Sequence, residues 1–566
     1  MKKLIPLCFI LFLTNAAAQN KLFIPDTLAG PNYNLTMHMD SVQFFAGKIS
    51  HTYAFNSNKY LGPTLLLNKG ANVSITVKNQ IDDTTTMHWH GLHVPAICDG
   101  GPHANIIPGK SWNPKFTVMD NAATYWYHPH PDMKTAQQAI KGAAGLIIVR
   151  DNVEAALLLP RKYGVDDFPV IVQCQQYDVN NQAMPKGMED STLLVNGTMN
   201  PYLDAPAQVV RMRLLNASGE RAFNFGFSAN KKFYQIASDG GLLDTPVFTK
   251  RVRLGPGERA EILVDLGGMN GQTIYLMGYG SELPMGVQGG PTMPMPQGSP
   301  PMDSPLNGID FNILKINIIP PTSNPITAIP SALTTNTPYP ESTAKTTRVI
   351  HFTADSALVM DGPFYFNGNS FDMMRIDYSI PLNSTEIWTL VNKTMVAHPF
   401  HIHDVQFYIL DINGDPPSAQ ESGRKDVVLV APGDSLRFIT QFRDFADTIV
   451  PYMFHCHILM HEDDGMMGQF LVVPDSATGI NKLMLNNNSV ILYPNPGSET
   501  ITIRSANIDL QHPAEIKMYD ALGNCIYSGV HVESEIPLNV SPYSKGIYCV
   551  AIIQNQQRVF KKLVVE

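Results

Sequence analysis

At 566 residues the chain is too long for one ordinary domain and long enough for three or four. A net charge of −9, with no Lys/Arg block, argues against a nucleic-acid partner. Proline and glycine are plentiful, long helical periodicity is missing, and short Val/Ile/Thr/Tyr/Phe runs recur between Gly, Pro, Asn and Asp. That texture reads as an all-β chain of sandwich domains.

The chain begins with an export pattern over residues 1–18: basic Lys2-Lys3, an apolar run from Leu4 to Leu13, and Ala16-Ala17-Ala18 before Gln19. A spanning helix needs about 20 apolar residues, so this run reads as a removable signal. No other stretch is long enough to span, and the mature protein is expected to be soluble outside the cytoplasm. Residues 19–151 form a first strand-and-turn domain containing His88-Trp-His90-Gly-Leu-His93 and Trp126-Tyr-His128-Pro-His130. Residues 152–320 repeat the texture without a His-x-His pair and read as scaffold. Late in this domain, Met285, Met293, Met295 and Met302 fall in an irregular loop, either a soft Cu(I) site or an ordinary surface loop. A Pro/Thr/Ser-rich linker spans 321–345. The third domain, 346–475, holds His398-Pro-Phe-His401-Ile-His403 and, fifty residues on, His455-Cys456-His457, His461 and Met466. A polar linker then leads to a small β domain over 489–566.

The stretch 452–467 organises the rest. In a strand, successive side chains point to opposite faces, so His455 and His457 project one way and Cys456 the other. One strand can then feed two metal centres. Thiolate, imidazole and a more distant thioether suit copper better than zinc or iron. With His93 set aside, ten of the 17 histidines lie in the four motifs, a concentration that structural histidines do not explain. Cys98, Cys174, Cys525 and Cys549 are left after Cys8 and Cys456 are set aside. Four cysteines allow three pairings, or free thiols, and Cys525 and Cys549 share the last domain.

The four motifs, in this order, resemble those of the multicopper oxidases, and the spacing is similar to the bacterial laccase and cuprous-oxidase branch. The resemblance covers roughly 20–475 and implies three cupredoxin-like Greek-key β-sandwich domains and four copper ions. Matched residue by residue, it implies a type 1 copper on His398, Cys456 and His461 with Met466 axial, which lowers its potential relative to Leu- or Phe-type relatives. It implies a type 2 copper on His88 and His401, and a type 3 pair on His90, His128, His130, His403, His455 and His457. The first and third domains must then pack together. Asp99, in Cys-Asp-Gly-Gly-Pro, aligns with an acid that assists proton delivery in similar oxidases. Glu462 is expected to orient the site by hydrogen bonding.

The implied activity is oxidation of a phenolic or other organic reductant, or of a metal ion such as Cu(I), coupled to reduction of O2 to water. A secreted copper-binding protein without turnover is the alternative. Cuprous oxidases place an Asp and a Met just before the third motif; here Thr394 and Val396 stand there, and only Met395 keeps the type. The last domain resembles the type A sorting domain of the type IX secretion system, through Tyr493-Pro-Asn-Pro, Asp520-Ala-Leu-Gly, Gly546-Ile-Tyr and Lys561-Lys-Leu-Val. This implies the outer-membrane secretion machinery as a partner and a cell-surface or secreted destination. The protein is expected to be a monomer.

Overall fold

The computed structural model describes residues 19–566 apart from 187–188, 293–303, 357–358, 360–361, 475–489, 506–512, 521–524, 534 and 555–556. The export pattern of residues 1–18, the second linker, the tip of the Asp520 turn and three of the four loop methionines lie outside the described residues. The chain forms two compact units, one ending at Pro474 and one following it.

The first unit is built from three pairs of β-sheets. Six of its strands and two short helices carry the chemistry: β1 (His88–His90), β2 (Ala123–His128), β3 (Arg259–Asp265), β4 (His398–Ile402), β5 (Val427–Val430), β6 (Tyr452–Cys456), α1 (Thr135–Ile140) and α2 (Leu459–Asp463). In the first sandwich, a five-stranded sheet ends on β2 and β1, and it faces a sheet built around Asn32–Val42 and Asn72–Gln80. The second sandwich pairs a seven-stranded sheet containing β3 with a six-stranded one. The third pairs two five-stranded sheets, one of which places β6, β4 and β5 side by side at its edge.

Each sandwich has its own apolar core, as the alternating sequence requires. Trp89 lies in the first core, while Phe454 and Cys456 lie in the third. The histidines adjacent to Trp89 and Cys456 must therefore face the other way.

Two features depart from the sequence reading. Asn20–Lys21 pairs in parallel with Pro201–Tyr202, so the first strand among the described residues lies in a sheet of the second sandwich. The Pro/Thr/Ser-rich linker is anchored: Leu333 is buried against Ile236, Leu242 and Leu263, with Ile326 and Ile329 beside it. Its backbone is tied down by Leu333 N–H to Asp244 O (2.9 Å) and Val209 N–H to Ile326 O (2.8 Å).

The seam between the first two sandwiches is ionic. Arg213 donates to both carboxylate oxygens of Asp167 (2.8 and 3.0 Å), to Glu261 (2.6 Å) and to Thr124 of β2 (2.9 Å). Arg211 bridges Glu261 of β3 to Glu154. A buried pair contributes little relative to well-packed apolar groups, but breaking one costs about 3–5 kcal/mol, so this network fixes where β2 lies against β3. At the seam of the first and third sandwiches, Asp463 of α2 accepts from the Thr135 and Ala136 N–H groups of α1 (2.8 and 2.9 Å).

The second unit is a small two-sheet β structure, with a three-stranded and a four-stranded sheet over a core of Ile501, Ile503, Ile516, Met518, Val550, Ile552 and Leu563. Cys525 and Cys549 both pair across from Tyr519, on opposite sides of its strand. That puts them roughly 9–10 Å apart, beyond disulfide reach. Both are free, as are buried Cys98 and Cys174.

Candidate metal centre

Two antiparallel strand pairs deliver the donors. β1 and β2 align His88 with His128 and His90 with Trp126. β4 and β6 align His401 with His455 and Phe400 with Cys456. The sandwiches meet so that imidazoles from one interleave with those of the other. His88 stacks on His403, and His90 on His401, each with ring centroids 3.8 Å apart. Each stack crosses the seam, so neither sandwich holds the site alone.

The donors sort into groups. His398, Cys456 and His461 form one. The Cys456 sulfur lies 3.5 Å from His398 Nδ1 and 3.6 Å from His461 Nδ1. Phe364 packs on both rings, and Met466 is buried in the same core as Cys456. The Met466 N–H donates to His461 O and its carbonyl accepts from the Cys456 N–H, so the three donors are locked by backbone bonds (2.7 and 3.0 Å). Burial pushes the Cys456 thiol up, and only the Ile458 N–H opposes this. A thiolate there calls for a cation, and two imidazoles, a thiolate and a thioether are the blue-copper donor set.

Eight further histidines make a cage, in groups of His88, His90 and His401; His90, His128 and His457; and His130, His403 and His455. Their hydrogen bonds fix where the protons are. His403 Nδ1 faces Asp99 Oδ2 at 2.8 Å, and His455 Nδ1 faces the Cys456 carbonyl at 2.9 Å. Carboxylates and carbonyls only accept, so both rings are protonated at Nδ1. Their Nε2 lone pairs nonetheless point at each other, 3.3 Å apart, with His130 Nε2 at 3.2 Å from His455 Nε2. Two facing lone pairs are not a hydrogen bond; they are the donor arrangement of a metal site. His88 Nδ1 likewise meets the Asp99 carbonyl (2.9 Å) and His401 Nδ1 the Asp426 carbonyl (2.8 Å). Both leave a buried Nε2 with no partner, as do both nitrogens of His457. Burial and neighbouring imidazoles push His90, His128, His130, His401 and His457 well below the ordinary imidazole value, and His403 to about 3. Neutral rings with free lone pairs are what a metal requires.

Carboxylates ring the cage. Asp99 ends a one-turn helix and is 2% exposed. Burial alone would raise its carboxyl, but His403 and His88 hold it well below the usual carboxylate range. Glu462 reaches a different place from the one its neighbour His461 suggests. Its oxygens lie 3.2 Å from His130 Nδ1 and 3.1 Å from His455 Nδ1, at the cage. Sequence reading missed Asp426 altogether and saw Thr394 only as an absent cation ligand. Asp426 Oδ1 lies 3.1 Å from His90 Nε2, and Thr394 Oγ lies 2.8 Å from His398 Nε2. The one signal for Asp426 was a Lys-Asp pair opening the apolar run of β5. Of the loop methionines, Met285 is described and half-exposed.

The fold and donor set define a copper protein built from cupredoxin-like sandwiches. Residues 36–154 and 338–476 match multicopper oxidase family models, and residues 491–566 match the secretion system C-terminal sorting domain. The multicopper oxidase mco of Staphylococcus haemolyticus is 34% identical over 476 residues, covering 81% of this chain and 94% of that protein. The cell division protein FtsP of Escherichia coli is 30% identical over 470 residues, with the same coverage. Among solved structures, the laccase-like multicopper oxidase CueO of Ochrobactrum sp. superposes with a TM-score of 0.70 at 33% identity, covering 80% of this chain and all of that one. The chain belongs to the multicopper oxidase family and is a copper-dependent oxidoreductase. Its C-terminal unit is a sorting domain of the kind that directs export through type IX secretion to the cell surface. No helix among the described residues is long and apolar enough to cross a membrane.

Proposed function

We propose that this protein withdraws electrons one at a time from an organic reductant at the Cys456 site and delivers them to dioxygen at the histidine cage, forming water. The residues fit four copper ions. One would be held by His398, Cys456 and His461 with Met466 as a further donor, and one by His88 and His401. The remaining two would be held by His90, His128 and His457, and by His130, His403 and His455. Bound copper would supply the one-electron redox steps, and the cage coppers together with the one at Cys456 would supply the four electrons that reduction of O2 to two waters consumes.

The chain supplies route, orientation and protons. Cys456 is a donor at one centre, and its peptide neighbours His455 and His457 are donors at the other, so a continuous covalent path through a single peptide bond on each side joins them. Burial of all eight cage rings excludes bulk water from the reaction. Asp99, an ionised acceptor beside His403, and the Glu462 carboxylate, beside His130 and His455, relay protons toward the oxygen atoms being reduced. An export signal over residues 1–18 and the C-terminal unit carry the protein outward. Each chain holds a complete donor set and works as a monomer.

The donor is organic rather than a metal ion. Thr394 Oγ is taken up by His398, and Val396 is buried, so neither offers a surface ligand for an incoming cation. The Ochrobactrum relative is described as active on lignin model compounds and lignosulfonate, which agrees with a phenolic donor. The observation that carries the proposal is the split across one residue: Cys456 sulfur beside two imidazoles, with both flanking histidines in the cage. Oxygen uptake by copper-loaded protein tests it, comparing a phenolic donor with Cu(I). The proposal expects faster uptake with the phenol and four donor electrons consumed per O2. Uptake with neither donor, from intensely blue protein, would make it a copper-binding protein instead.

A further inference from the structure

The second sandwich brings no histidine to the cage, yet one of its side chains grips a carboxylate that borders it. Arg259 opens β3 and is buried, with its guanidinium spread over three elements. Its Nη2 donates to Asp426 Oδ2 (2.7 Å) and to the Asp239 carbonyl (3.0 Å), and its Nη1 donates to Asp426 Oδ1. Its Nε donates to the Thr124 carbonyl of β2 (3.0 Å), the strand that ends on His128. Asp426 is thus gripped through both oxygens in a planar fork, a geometry that a lysine cannot reproduce. Lys425 adds a brace, with Nζ 2.9 Å from both Asp239 and Glu258.

Asp426 spends its remaining capacity on the cage. Its Oδ1 lies 3.1 Å from His90 Nε2, and its carbonyl accepts from His401 Nδ1 at 2.8 Å. These are the two rings that stack across the seam. A carboxylate oxygen held in the fork places the His90 proton at Nε2 and turns its Nδ1 lone pair inward, where it lies 3.4 Å from His128 Nε2. Gly91 shows how tightly this is built. A Cβ there would lie 2.5 Å from Asp426 Oδ2 and 2.7 Å from Arg259 Nη2, so the chain leaving His90 passes against the ion pair.

We infer that Arg259 is a positioning residue for the cage: from the second sandwich, it fixes the Asp426 carboxylate that sets the orientation and tautomer of His90 and the placement of His401. This rests on reading the cage as the dioxygen-reducing copper cluster. Loss of such an outer partner typically lowers metal affinity by about 10–100-fold.

The test is a copper titration of Arg259→Met and Arg259→Lys beside the wild type, following blue absorbance for the Cys456 site and EPR-visible copper for the cage. The expected result for Arg259→Met is an unchanged blue band, with cage copper affinity reduced about 10–100-fold and new EPR-visible copper from an uncoupled pair. Arg259→Lys keeps the buried charge but not the fork; it should lose several-fold in cage affinity, and it decides the case if Arg259→Met does not fold. Unchanged cage affinity in the folded variants, or equal loss at both centres, would overturn the inference. A wild type with no blue band or cage copper would instead overturn the functional reading beneath it.

Discussion

Replacing Asp99 by Asn separates a structural role for this acid from a chemical one. Asp99 makes one short contact, Oδ2 to His403 Nδ1 at 2.8 Å, and one long one, Oδ1 to His88 Nδ1 at 3.5 Å. His88 is already held by the Asp99 carbonyl at 2.9 Å, which the substitution leaves alone. An asparagine can keep its amide oxygen on His403, and its NH2 then meets the His88 N–H only at the long contact, 3.5 Å away. What disappears is the charge. A charge-assisted bond contributes about 1.5–3 kcal/mol and a neutral one about 0.5–1.5, so the loss is about 1 kcal/mol, less than tenfold in copper affinity. Positioned proton transfer contributes about 10²–10⁴-fold. Asp99→Asn should therefore keep its copper and blue colour while oxygen uptake, measured at saturating donor, falls at least about 100-fold. Wild-type uptake across the pH range would refute the proton role. Loss of copper in step with uptake would show that the acid only holds the rings.

Glu462→Gln should leave the blue band intact and slow oxygen uptake at least about tenfold, because its carboxylate serves His130 and His455 and not His461; a shifted blue band with normal uptake would place it at the wrong centre. His93 offers a stability test. Burial pulls its imidazole down, but Asp404 and Asp120 outweigh this and push it up to about 10. A raised value means the stabilisation is complete below the unfolded value of about 6.5 and disappears as pH rises through 10. His93→Gln should lower the melting temperature at pH 6 and leave it unchanged at pH 11; an equal drop at both would contradict the ion pair. Ending the chain at Pro474 should preserve blue colour and oxygen uptake, since the C-terminal unit is compact by itself, and should stop delivery to the cell surface. Normal surface delivery of the shortened chain would exclude the sorting role.

The His-x-His and His-Cys-His motifs were legible in the sequence because on strands they fix a face by alternation alone, whatever the tertiary fold, while His398, His461 and Met466 were expected donors through the family resemblance. What surrounds them was not. Asp426 is 336 residues from His90, and Arg259 is 167 from Asp426; nothing local in either segment announces a metal, and only the meeting of three sandwiches gives them a task. Glu462 was misleading for the opposite reason. It adjoins His461, but both sit on α2, where successive side chains diverge by about 100°, and the carboxylate swings to the other centre. Thr394 was noticed for what it is not, a cation ligand, while its bond to His398 required the loop before β4 to fold back on its own strand. The linker's apolar anchors were hidden by its proline and threonine content. The sorting unit, by contrast, was recognisable from its motifs because each element pairs within its own small sheets.

The central claim is that one short stretch of backbone joins the donor-facing copper to the cage, and Cys456→Ser tests it most directly. Copper-loaded Cys456→Ser should lose the blue absorption and donor-driven oxygen uptake while retaining most cage copper, because the eight imidazoles do not depend on the thiolate. A persisting blue band, or donor-driven uptake at the wild-type rate, would contradict the account.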